Sequence, residues 1–120
     1  MAGGRLNRVQ KLAKKVLGEA IHDLKDPRIG FATVTAVRVT PDLQHARVLV
    51  SVLGTPDEQE ETMKGLQSAK AHLRTELGRQ VRMKYSPELT FQLDHGPEEA
   101  ERLEMLLRKI HQEETHEEDR

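Results

Sequence analysis

Two runs of β-branched residues joined by a proline turn constrain this chain more than anything else in it. Gly30 to Thr40 reads Gly-Phe-Ala-Thr-Val-Thr-Ala-Val-Arg-Val-Thr, and His45 to Leu53 sets Ala46, Val48, Val50 and Val52 in alternation with Arg47, Leu49 and Ser51. A period of two marks a strand with one buried face, and β-branched side chains suit a pleated surface. Pro41-Asp42-Leu43 supplies the turn. The two runs therefore pair as an antiparallel hairpin.

The surrounding pattern is helical. From about Arg5 to Leu24, the residues Leu6, Val9, Ala13, Val16, Leu17, Ala20, Ile21 and Leu24 fall in one stripe at 3.6 residues per turn. The helix should stop before Asp26-Pro27, because proline disfavours helical geometry in the residue before it. After Gly54-Thr55-Pro56-Asp57 a second helical region runs to about Gly78, with Met63, Leu66, Leu73 and Leu77 on one face. Lys70 falls inside that apolar arc. A straight helix would make it snorkel to water; a break near Ala69-Lys70-Ala71 would turn it outward.

Pro87 opens a short third strand, Leu89 to Asp94, alternating at Leu89, Phe91 and Leu93. A last helix from about Pro97 to His111 carries Ala100, Leu103, Leu106, Leu107 and Ile110 as its stripe, which either completes the core or docks on a partner. Residues 112–120 are acidic and read as a disordered tail. This order predicts an α+β fold, a three-stranded sheet with helices on one face. The domain expected is 1–96, followed by the amphipathic helix 97–111 and the tail 112–120.

With 120 residues, 36% of them hydrophobic and 32% charged, the chain supports one modest core. Phe31, Tyr85 and Phe91 are its only aromatic residues, so any nucleic-acid binding does not rest on a row of stacking rings. No cysteine is present, which removes disulfides, thiolate metal sites and cysteine nucleophiles. MAGGRLNRVQ lacks an apolar signal core and no run approaches a membrane span, so a soluble cytoplasmic protein is expected.

The net charge of −1 conceals an asymmetry. Residues 1–85 hold 15 Lys and Arg against 9 Asp and Glu, and residues 86–120 hold 4 against 11. Arg5, Arg8, Lys11, Lys14 and Lys15 occupy the first fifteen residues with no acid among them; Glu19, His22 and Asp23 take over farther along. A basic body suits a polyanion partner, and equally a solvated surface with an acidic solubility tail. Enzyme chemistry finds little here. His22, His45, His72, His95, His111 and His116 are scattered without metal-ligand spacing. Asp94-His95 has no nucleophile near it in sequence, and Gly3-Gly4 precedes no strand. No catalytic or metal-binding residue is assigned.

Several stretches together resemble the ribosome-binding factor A family. They are Arg5-Leu6-Asn7-Arg8-Val9; Asp26-Pro27-Arg28-Ile29-Gly30 leading into Thr33-Val34-Thr35-Ala36-Val37; Thr40 to Ala46; Ala69 to Arg74 with Leu77; and Arg82 to Phe91 into Asp94. They are collinear and cover roughly Arg5 to Asp94. The resemblance implies a type II KH-like domain of order α-β-β-α(kink)α-β plus a C-terminal helix. In it a helix–kink–helix built on Ala-x-Gly replaces the usual Gly-x-x-Gly loop. Here that triplet is Ala69-Lys70-Ala71, with alanine where glycine is usual, and the bend it implies would expose Lys70.

The resemblance further implies binding to free small (30S) ribosomal subunits and to 16S rRNA near its 5′-terminal helix. It implies help in late maturation, notably in the cold, by a monomer without cofactor, with ribosome-assembly GTPases as further partners. RNA binding by a charged face needs Lys and Arg that reach phosphates rather than a fixed motif. The candidates are Arg5, Arg8, Lys11, Lys14 and Lys15 on the first helix; Lys25 and Arg28 in the Asp-Pro-Arg turn; and Lys70, Arg74, Arg79, Arg82 and Lys84 at and after the kink. A rival reading makes the acidic C-terminal helix an adaptor for a basic protein, with the N-terminal charge serving solubility.

Overall fold

The strict alternation in the second β-branched run is what the architecture is built around. In the computed structural model, which describes residues 2–82 and 86–118, that run is β2 (His45–Leu53), the central strand. Ala46, Val48, Val50 and Val52 all point into the core. β1 (Phe31–Val39) pairs with β2 antiparallel, from Phe31 opposite Leu53 to Val39 opposite Ala46. β3 (Glu88–Leu93) pairs with the other side of β2 in parallel, from His45 opposite Glu88 to Val50 opposite Leu93. Parallel neighbours need a long crossover, and here it is α2 (Pro56–Ser68) and α3 (Lys70–Gln80). The sheet is mixed, and the fold is α+β.

α1 (Ala2–His22) closes the core from the other end of the chain. Its Ala13, Val16, Leu17 and Ile21 are buried, with Leu6, Val9, Ala20 and Leu24 packed at the margin. It stops before Pro27 as the sequence requires, the Leu24 N–H falling back onto the Ile21 carbonyl at 3.1 Å. α2 starts from a capping box in which Thr55 and Glu58 serve each other's backbone N–H groups. Leu66, Leu73, Leu77, Leu89 and Phe91 complete a core in which Phe91 is the one aromatic side chain among the described residues. α1, α2 and α3 cover one face of the sheet. Among the described residues nothing covers the opposite face, where Phe31, Thr33, Arg38, Arg47, Leu53 and Thr90 are exposed.

Two local features depart from simple alternation. Val34 and Val37 both face the core, because Thr35 and Ala36 share Leu49 as their partner in a β-bulge. In the turn, Leu43 adopts φ 61, a left-handed conformation that an L side chain takes only when held there. Asp42 holds it: its Oδ1 accepts from the Thr40 hydroxyl at 2.6 Å and the Gln44 N–H at 3.0 Å. These bonds draw the Asp42 carboxyl below its ordinary pKa, the Thr40 hydroxyl most.

α4 (Gly96–Glu118) differs from the sequence reading in length and in placement. It continues past His111 through most of the stretch expected to be a disordered tail. Every described side chain from Glu99 to Glu113 is exposed, including Leu103, Leu106, Leu107 and Ile110. The stripe therefore does not complete the core. Its first turn is tied down by Gln59 Nε2 donating to Glu98 Oε1 at 3.2 Å and by Gly96 N–H donating to Asp94 at 2.9 Å. The radius of gyration, 18.6 Å, exceeds the roughly 13–14 Å of a compact chain of this length, as a projecting helix requires. Among the described residues no helix is long and apolar enough to cross a membrane.

Candidate nucleic-acid interface

The amphipathic spacing of α1 fixes where its charges go. With Ala13, Val16 and Leu17 buried, Arg5, Arg8, Lys11, Lys14 and Lys15 are left exposed on the outside. Among the described residues none of the five has a carboxylate within ion-pair distance. The helix is set against the sheet at this end by Gln10, whose Oε1 accepts from the Val39 N–H at 2.9 Å. Val39 ends β1, so the basic half of α1 lies toward the hairpin end of the sheet.

The second group forms around a real break. The helix is interrupted at Ala69, with φ −88 and ψ 1, between Ser68 and Lys70. The Ala69 N–H is shared between the Gly65 and Leu66 carbonyls, both at 3.1 Å, and the Ala69 carbonyl accepts from Leu73 at 2.9 Å. No residue of the triplet has a positive φ, which is why alanine serves where the family pattern has glycine. Lys70 is half-buried rather than exposed as the bend would imply, its Nζ 3.8 Å from Glu88 Oε1. Glu88 faces His45 in the register, so this group also lies toward the hairpin end.

Three of the cations at and after the bend, Lys70, Arg74 and Arg79, are occupied. Arg74 Nε donates to the Pro87 carbonyl at 3.0 Å and Nη2 to the Ser86 carbonyl at 3.1 Å, while Nη1 stands 3.6 Å from Glu88. It fastens the approach to β3. Arg79 pairs with Glu76 at 3.4 Å. Arg82 is exposed, with no ion pair among the described residues, and Lys84 lies outside them. The proposed basic surface thus has Glu88 set between two of its members.

The Asp26-Pro27-Arg28 turn is organised from within. Arg28 grips Asp26 through Nη2 at 2.6 Å, Nε at 3.0 Å and its own backbone N–H at 2.9 Å. These bonds, the side-chain ones foremost, hold the Asp26 carboxyl down at about 2 and raise Arg28. The turn is pinned to α2 by buried Thr62, whose hydroxyl accepts from Gly30 N–H at 3.1 Å and donates to the Arg28 carbonyl at 3.3 Å. Gly65 allows the close approach, since a Cβ there would stand 2.6 Å from Ile29 Cγ1. Lys25 is exposed; Arg28 is committed to its neighbour.

Sequence reasoning left out two arginines. Arg38 and Arg47 are directly opposite in the β1–β2 register and both are exposed, on the open face of the sheet. The signal was available: Arg47 was already on the polar side of the alternation, and the Pro41-Asp42-Leu43 turn sets its cross-strand partner. Among the described residues no three His, Asp or Glu side chains are grouped as metal ligands.

The model of the ribosome-binding factor A family matches residues 5–107. The chain belongs to the ribosome-binding factor A family. Solved structures agree with this. The crystal structure of ribosome-binding factor A from Thermus thermophilus is 32% identical, with a TM-score of 0.67 over 73% of this chain and 94% of that one. The solution NMR structure of a candidate ribosome-binding factor A from Thermotoga maritima is 37% identical, with a TM-score of 0.69 over 77% and 89%. A Thermus thermophilus ribosome-binding factor A homology model, fitted into the cryo-EM map of a complex between that factor and the 30S subunit, is 34% identical. Its TM-score is 0.58 over 68% of this chain and 87% of that one. The ribosome-binding factor A match begins at Arg5, the first cation of the α1 face, and ends at Leu107 inside α4. It spans every candidate residue on α1, the turn and the bend. The element order and mixed sheet are consistent with the KH-like label.

Proposed function

We propose that this chain is an assembly factor of the small ribosomal subunit, one that binds free 30S particles through the exposed basic face of α1. The observation that carries the reading is the run Arg5, Arg8, Lys11, Lys14 and Lys15, exposed and without a carboxylate partner among the described residues. Such charges release condensed counterions when they meet RNA phosphates. The family to which the chain belongs, and the 30S complex of the Thermus thermophilus relative, support the choice of target.

On this reading the target is folded 16S rRNA near its 5′-terminal helix, recognised by shape. A standard KH domain clamps a single strand with a Gly-x-x-Gly backbone, and the bend at Ala69 offers an interrupted helix instead. The factor assists late maturation and 16S rRNA processing by binding one conformation of the subunit better than another. It moves that equilibrium only as far as the two affinities differ. It acts in the cytoplasm as a monomer without cofactor, alongside assembly GTPases.

Sucrose-gradient fractionation of cell extract tests this. The protein should travel with free small subunits, be absent from complete ribosomes, and leave the particle as salt is raised. Migration with a complex that survives nuclease would favour the adaptor reading and overturn this one.

A further inference from the structure

We infer that the open face of the sheet is a second nucleic-acid surface, on which a short single-stranded RNA segment lies along the strands between the Arg38–Arg47 pair and Phe31. This extends the function proposed above and rests on it for the class of ligand. The starting point is a cost the fold need not bear. Like charges directly opposite on adjacent strands destabilise a sheet, yet Arg38 faces Arg47 in the register. Among the described residues neither guanidinium has an ion pair or hydrogen bond to offset this. Glu88, opposite His45 at this end of the sheet, is drawn to α3 by Lys70 and Arg74. Both arginines line one shallow depression with Thr40, Pro41, His45 and Thr90. Two donor forks in a shallow depression suit a phosphate.

The face is graded toward its other end. Thr90 is opposite Arg47, and Gln92 opposite Leu49; Thr33 is opposite Ser51. These uncharged side chains offer hydrogen bonds to base edges without repelling a strand. The far end is apolar: Phe31 is 81% exposed and faces Leu53, 73% exposed. An aromatic ring so open to water, on the uncovered face of a sheet, is a stacking platform for a base. Arg38 and Phe31 are seven residues apart on β1, roughly 20 Å at strand rise, the length of a few nucleotides in extended form. Asp94, which lies along this path, is engaged by the Thr35 hydroxyl at 2.7 Å across β2, while Asp57, Glu58 and Glu61 stand beside Leu53 at the far end. An apolar protein ligand would account for Phe31 and Leu53 and leave the arginine pair unexplained.

The test uses the full chain and a fluorescein-labelled single-stranded RNA of ten uridines, read by fluorescence anisotropy, with a ten-base-pair RNA duplex as competitor. Arg38→Glu should weaken binding at least tenfold and at the same time raise the melting temperature, because it replaces a like-charge pair with an opposite one. Phe31→Ala should weaken binding several-fold, and Phe31→Trp should retain or tighten it. The duplex should compete poorly. Absence of wild-type binding at low salt would overturn the inference. So would unchanged affinity in Arg38→Glu and Phe31→Ala, or a duplex that competes as well as the single strand. No subunit is present in this assay, so failure here and failure of the α1 reading appear in different experiments.

Discussion

α1 and the α2–α3 bend each bring a set of Lys and Arg to the hairpin end of the sheet, and they differ in what stands beside those charges. Along α1, Arg5 to Lys15 meet no acid in sequence before Glu19. At the bend, Glu88 stands between Lys70 and Arg74, the Ser86 and Pro87 carbonyls fill the rest of the Arg74 fork, and Glu76 takes Arg79. A cation already balanced by a carboxylate gains little from an approaching phosphate, whereas an unpaired one has its whole charge to offer. Identical residue types therefore serve different ends. Those on α1 are available to a partner; at the bend Lys70, Arg74 and Arg79 already have carboxylates, and Arg74, with Arg28 in the turn, holds the protein's own loops.

The largest expected effect tests the first half of that contrast. Reversing Arg8, Lys11 and Lys15 to Glu should lower affinity for small subunits by about 100-fold or more near 0.1 M salt. Far-UV circular dichroism should stay unchanged, since all three side chains are exposed. Next comes the anchoring of the turn. Thr62→Val removes the buried hydroxyl that serves the part-buried Gly30 N–H and Arg28 carbonyl, and should cost about 1–2 kcal/mol in urea unfolding. Arg74→Met should cost about 1–2 kcal/mol by releasing two carbonyls, while subunit affinity, measured on the folded fraction, stays within about twofold. A large loss of affinity in Arg74→Met with no loss of stability would break the contrast.

The smallest effect concerns pH. The folded Asp26 carboxyl is held at about 2, below its ordinary 3.8. A carboxyl depressed in the native state stabilises it above the unfolded pKa, and that contribution is lost as pH falls through the folded one. Stability should therefore decline between about pH 4 and pH 2, and Asp26→Asn should flatten that part of the acid-unfolding curve.

Much of the architecture was legible because it depends on short-range period. Ala46, Val48, Val50 and Val52 alternate without error, and the α1 stripe needs only a helical repeat. The β1 bulge was not legible, since one extra residue at Thr35–Ala36 shifts the alternation without any local signal of its own. The parallel direction of β3 depends on a crossover, not on its six residues. α4 reads as a core helix because Leu103, Leu106, Leu107 and Ile110 make the same stripe whether or not anything covers it. The site followed the same rule. Which residues were basic could be read directly, but their partners could not: Glu88 comes to Lys70 and Arg74 from another element, through the crossover. Arg38 and Arg47 were passed over because they were read strand by strand and not as a cross-strand pair.

The salt dependence of subunit affinity tests the contrast most directly. Replacing Arg8, Lys11 and Lys15 by Ala should reduce the slope of log affinity against log salt by about two to three. Replacing Lys70 and Arg79 by Gln should change it by less than about one. An unchanged slope in the α1 variant, or a larger drop in the bend variant, would contradict the assignment of the binding charge to α1.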